Sequence, residues 1–113
     1  MESIVAVDRL SALAQPNRLA VFRLLVKAGK QGLAAGEIAR ALDVAPNTLS
    51  AQLNILSNAG LVTSARDGRS IIYAADFKSM GDLLVYLVED CCNGNPEICS
   101  PVAEVTKCFD GCA

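Results

Sequence analysis

The five cysteines of this chain, Cys91, Cys92, Cys99, Cys108 and Cys112, all lie between residues 91 and 113, behind a stretch of the chain that contains none. There is no histidine anywhere. Thiols are reactive, so their concentration at one end reads as a site appended to a scaffold that does something else. The first three are two adjacent thiols, then Cys99 after Asn93-Gly94-Asn95-Pro96. Those four residues are of types that stop a helix and turn the backbone, and such a turn could fold Cys99 back onto Cys91 and Cys92. Three sulfurs with no nitrogen partner select soft, thiophilic centres over magnesium, calcium or manganese. Structural zinc fits less well, because it normally takes four ligands at regular Cys-x2–4-Cys spacings that are not present here.

Each thiol also has a plainer reading. Cys91 continues an apolar helical stripe and, taken alone, reads as a packed core thiol. Cys92 falls off that stripe and Cys99 follows a turn, which shifts the trio toward a functional reading. Cys108 and Cys112 are four residues apart, but Gly111 weakens a helical pairing. They stand as a second thiol site, a redox pair or incidental residues.

The elements that carry these thiols belong to a small chain. With 113 residues, 52% of them apolar and 19% charged, the composition is that of one globular domain, 1–113, small enough to lean on a partner subunit. No apolar run approaches the roughly 20 residues of a membrane span, and the N-terminus, with Glu2 and Asp8, does not resemble a secretion signal. The expectation is a cytoplasmic protein without a membrane partner. An odd cysteine count in a reducing compartment argues for metal, redox or catalytic thiols over structural disulfides. Charge is uneven: residues 1–77 carry eight basic and six acidic side chains, whereas 78–113 carry two and six. A negatively charged partner should therefore meet the first part of the chain.

Hydrophobic period gives a mostly helical order. Residues 3–14 place Ile4, Val7, Leu10, Leu13 and Ala14 on one helical face. Pro16 opens a second helix, in which Leu19, Phe22, Leu25 and Val26 recur until Gly29. A third spans about 35–42 with Ile38 and Leu42 on one face, and Asp43-Val44-Ala45 is a short turn. Pro46 opens a fourth, whose inner stripe is Leu49, Leu53 and Leu56, closed by Asn58-Ala59-Gly60. Two helices joined by a three-residue turn, about 35–58, form a helix-turn-helix.

Short β-branched runs at 61–63 and 71–73, separated by Ala65-Arg66-Asp67-Gly68-Arg69, predict a hairpin with arginines at its tip, about 61–74. After a helix-turn-helix this reads as a wing, from which Arg66 and Arg69 reach phosphates or a minor groove. A long helix, about 77–92, aligns Met80, Leu83, Leu84, Leu87, Val88 and Cys91 for packing on another helix in the same or a second subunit. Ser100-Pro101 predicts a short final helix through about Cys108.

This order, with the strings Leu13-Ala14-Gln15-Pro16-Asn17-Arg18-Leu19, Gly36-Glu37-Ile38-Ala39-Arg40-Ala41-Leu42, Leu49-Ser50-Ala51-Gln52-Leu53-Asn54-Ile55-Leu56 and Ala59-Gly60-Leu61-Val62, resembles the ArsR/SmtB metalloregulatory repressors over roughly residues 3–90. The resemblance implies a mainly α winged helix-turn-helix with a small β-hairpin. It also implies a homodimer formed through the first and long last helices, and a repressor that leaves double-stranded operator DNA when an inducer binds. Many arsenic-responsive members carry Cys-x-Cys on the first helix of the helix-turn-helix; the matching positions here are Ala34 and Gly36. The histidine-based site of other members has no counterpart either. Some members place a Cys-Cys…Cys set after the long helix, and the tail of this chain is similar to those.

Trivalent arsenic, As(III), takes three thiolates, which matches Cys91, Cys92 and Cys99; antimony as Sb(III) would behave alike. Glu89, Asp90 and Glu97 flank the trio and disfavour free thiolates, whereas neutral arsenite exchanges hydroxide for thiol with release of water and no net charge change. Adjacent residues on an α-helix project about 100° apart, so Cys91 and Cys92 converge on one atom only if the helix end unwinds. On the fourth helix, Asn47, Thr48, Ser50, Ala51, Gln52 and Asn54 fall outside or beside the leucine stripe and are the expected DNA readers. Among them Gln52, in the place of a histidine common in the family, is able to contact adenine at two points. That helix has no basic residue, so Arg66, Arg69, Arg40, Lys30 and backbone amides near Pro46 must supply most of the affinity, with a shallow salt dependence.

Rival readings remain on the same scaffold: a repressor that senses oxidants through a disulfide, or one that senses methylated arsenicals with two thiols. A ligand-free dimerisation module is a third. A thiol enzyme is disfavoured, because no Cys-x-x-Cys, histidine or βαβ pattern is present.

Overall fold

The computed structural model describes residues 2–88. Five helices and three strands follow one another as α1 (Ser3–Leu13), α2 (Pro16–Ala28), β1 (Leu33–Ala34), α3 (Ala35–Leu42), α4 (Pro46–Asn58), β2 (Val62–Asp67), β3 (Ser70–Ala75) and α5 (Phe77–Val88). The fold is a winged helix-turn-helix. Its helix ends are set by local chemistry. Gln15 caps α2 by accepting from the Arg18 amide over 2.8 Å, and Pro16 fills the first turn where no amide hydrogen is needed. Asp43 ends α3 in the left-handed region at φ 53°, which a short polar side chain tolerates better than a branched one. The Asp76 carboxylate accepts from the Ser79 amide over 3.0 Å at the start of α5.

The helices enclose one core. Val21, Phe22 and Leu25 of α2, Ile38 of α3, and Leu49, Leu53 and Leu56 of α4 meet Val62 and Ala75 of the sheet and Leu61, which precedes β2. Burial at this spacing, i, i+3, i+4 and i+7 along α4, is what holds the helix-turn-helix rigid against the wing.

The hairpin is longer and its turn tighter than the sequence predicts. β2 and β3 pair antiparallel from Val62↔Ala75 out to Asp67↔Ser70. Only Gly68 and Arg69 remain as the loop, with positive φ at Gly68 and not at Arg69, the pattern of a type II′ turn. Arg66 therefore stands in a strand opposite Ile71, and Arg69 alone occupies the tip. The third strand, β1, is not foreseen in the sequence. It pairs antiparallel with β3, Leu33 opposite Tyr73 and Ala34 opposite Ile72, giving the sheet order β1-β3-β2. Gly32 makes this approach possible, since a β-carbon there would collide with the Tyr73 carbonyl.

Most of the face predicted on the first helix turns outward, and only its end, at Leu13, packs against the core. Ile4 is 72% exposed and Val7 61%, with Leu10 also exposed, and the side chains that α1 buries are Ala6 and Ala12. On α5, Leu83 is buried while Val85 and Leu87 are exposed. α1 and α5 lie side by side, their ends joined by a 2.9 Å hydrogen bond between the Ser3 and Tyr86 hydroxyls. Among the described residues no helix is long and apolar enough to cross a membrane.

Candidate nucleic-acid interface

Pro46 starts α4 with an extended residue, Ala45, before it, and the helix then shows two unlike faces. Leu49, Leu53 and Leu56 are buried, whereas Asn47, Thr48, Ser50, Ala51 and Asn54 are exposed. These five are short, mostly polar side chains on one helix, a set able to meet base edges and phosphates without a bulky or charged obstacle.

Gln52 does not join them. It is only 6% exposed, and its Oε1 is buried without a hydrogen-bond partner among the described residues. The expectation that Gln52 reads adenine is corrected accordingly. Position 52 follows Leu49 by three and precedes Leu56 by four, so it belongs to the inward stripe. A polar residue thus shares the buried face of the leucines on either side of it.

The wing faces the same side as α4. Ser50 of α4 and Arg69 of the hairpin tip line one open cleft together with Ala34, Ala35, Gly36 and Ser70. Arg66 and Arg69 are exposed, as are Arg40 and Lys30. Sequence reasoning did not single out the floor of this cleft, although the run of small residues Ala34-Ala35-Gly36 was the available signal. Small side chains there keep the approach to Ser50 open. The Arg69 cation and the polar Ser50 thus meet where a helix and a β-ribbon can both touch one duplex.

Residues 13–65 match the family model described as a helix-turn-helix domain. A solved structure with TM-score 0.61 and 30% identity, covering 76% of this chain and 79% of the other, is the homodimeric winged helix-turn-helix DNA-binding domain of a Mycobacterium bovis protein described as a possible ArsR-family transcriptional regulator. The chain belongs to the ArsR/SmtB family. Its members are transcriptional regulators that bind DNA, not enzymes. A Halobacterium salinarum protein provisionally named an arsenical resistance operon repressor is 38% identical over 79 residues, 70% of this chain and 59% of that one. The regulator NmtR of Mycobacterium tuberculosis is 38% identical over 65 residues, 58% of this chain and 52% of its own. The match thus spans a little over half the length of these two relatives.

The thiol residues of this ArsR/SmtB chain, Cys91, Cys92, Cys99, Cys108 and Cys112, lie outside the described residues, as do positions 89–92 of the helix expected over 77–92 and the short helix expected after Pro101. Among the described residues no three acidic, cysteine or histidine side chains gather in a metal-holding group.

Proposed function

We propose that this protein is a transcriptional repressor that binds operator DNA as a homodimer and leaves it when As(III), or Sb(III), binds Cys91, Cys92 and Cys99. The observation that carries the DNA part is the shared cleft of Ser50 and Arg69, which aims the polar face of α4 and the tip of the wing at one partner. The exposed apolar side chains of α1 and α5, among them Ile4, Val7, Leu10 and Leu87, support the dimer, because this much exposed apolar surface on two adjacent helices of a small domain favours a second subunit. Support for the inducer comes from the trio itself and from the likeness to a relative named for arsenical resistance. When bound, trivalent arsenic supplies three bonds to sulfur, and closing them draws together residues that a continuous helix would hold about 100° apart. Closing those bonds acts on the chain just beyond Val88, the last residue of α5, and so on a helix of the proposed dimer face. A coupling of about 1–3 kcal/mol between inducer and operator is typical for such linked sites. Thiols of this kind stay free in a reducing cytoplasm.

The test is a titration of the operator complex with arsenite, antimonite, zinc, cadmium and peroxide under strong reductant. Release by arsenite and antimonite supports the proposal. Release by peroxide only, and only without reductant, assigns the thiols to a disulfide switch.

A further inference from the structure

Arg9 sits on α1 with its side chain turned away from the exposed Ile4, Val7 and Leu10. Its Nε donates to the carbonyl of Ala59 over 3.3 Å, and its Nη1 donates to the carbonyl of Ser79 over 3.0 Å. The two acceptors are 20 residues apart in sequence and belong to different elements. Ala59 is the C-cap of α4, where a helix leaves carbonyls without partners and carries the negative end of its dipole. Ser79 lies in the first turn of α5. The guanidinium lies across Gly60, whose β-carbon, if it had one, would stand 3.7 Å from Nη2. Its planar fork thus holds the recognition helix to both helices of the dimer face at one point, in a partly buried setting where such bonds are strong.

We propose that Arg9 is a positioning residue that fixes the recognition helix against the α1–α5 dimer face and thereby sets the spacing of operator half-sites the dimer accepts. The proposal rests on the reading of this chain as a DNA-binding dimer. Two recognition helices carried by one dimer must match half-sites about one helical turn apart, and each base pair added between them displaces a half-site by about 3.4 Å and turns it by about a tenth of a turn. A rigid link between α4 and the dimer face makes such a displacement costly. A slack one tolerates it.

The experiment measures binding of the full-length protein to a selected operator, to versions with one or two base pairs inserted or removed between the half-sites, and to a single half-site. Arg9→Lys keeps the positive charge but replaces the fork with a single ammonium; Arg9→Met removes both contacts. The wild type should prefer one spacing by about tenfold or more. In Arg9→Lys that preference should fall to about two- to threefold, as expected from weakening hydrogen bonds of this class, with half-site affinity unchanged. If Arg9→Met does not fold, Arg9→Lys decides alone. An Arg9→Lys protein that keeps the wild-type spacing preference, or that loses half-site and full-site affinity in equal proportion, overturns the proposal. A wild type that binds no DNA overturns the dimeric-repressor reading, and the proposal falls with it.

Discussion

Arg18 reaches back across the corner between the first two helices to the carbonyl of Ala12, its Nε donating over 2.7 Å, while Nη2 reaches the Ser11 carbonyl at 3.4 Å. One cation thereby closes the open end of α1 and fixes its angle to α2, the helix that carries Val21, Phe22 and Leu25 into the core. Hydrogen bonds to a charged group of this kind contribute about 1.5–3 kcal/mol. Arg18→Met should lower the stability of the domain by about that amount in urea unfolding. An unchanged midpoint would mean that the corner is held by packing alone.

Gln52 yields a prediction of opposite sign. An amide oxygen buried without a partner costs about 1–3 kcal/mol, so an apolar side chain of similar volume should sit there at least as well. Gln52→Met should leave stability unchanged or raise it by up to about 1 kcal/mol, and the base preference of the protein should persist. Operator selection with the variant checks this. A relaxed preference at one base position would mean that the amide reaches the duplex after all.

Much of this architecture was legible in the residues. Pro16, Gly29, Pro46 and Asn58 mark helix ends because their backbone constraints act locally, and the structure places the ends where those residues stand. β1 was not legible, because Leu33 and Ala34 have no period of their own and become a strand only by pairing with β3. The outward turn of Ile4 and Val7 could not be read from period either, since a helical stripe marks a face without saying whether the partner is the same chain or another. For Gln52 the leucine stripe is visible in the sequence, whereas its width, which takes in position 52, is set by how closely α4 packs on the core. The candidate interface was legible in residue types, whereas the convergence of Ser50 with Arg69 depends on the fold of the whole domain.

The wing arginines act through charge. Arg66→Ala and Arg69→Ala should each weaken binding to specific and unrelated sequences alike, and each, being present twice in the dimer, should reduce the dependence of log affinity on log salt by about two units. Arg69, at the tip and beside the Ser50 cleft, should show the larger loss of affinity. A variant that changes base preference without changing the salt slope would place its arginine on a base edge.

The dimer face is tested at Val7 and Leu87, which are 61% and 49% exposed in one subunit. A buried aliphatic side chain contributes about 1.5–3 kcal/mol, so Val7→Asp or Leu87→Asp should raise the dimer dissociation constant about tenfold or more. Analytical ultracentrifugation across a concentration series reads this directly. Dimers of wild-type strength in both variants would move the interface elsewhere.

The central claim is that three thiols turn an inducer into release of DNA, and serine substitution in the full-length protein tests it most directly. Operator binding by Cys91→Ser, Cys92→Ser, Cys99→Ser, Cys108→Ser and Cys112→Ser is measured with increasing arsenite under strong reductant. All five should bind operator like the wild type without arsenite, the first three should no longer release it, and the last two should release it nearly as the wild type does. Retained release in any member of the trio would contradict three-thiol binding, and loss of operator binding in all three without arsenite would make those cysteines structural.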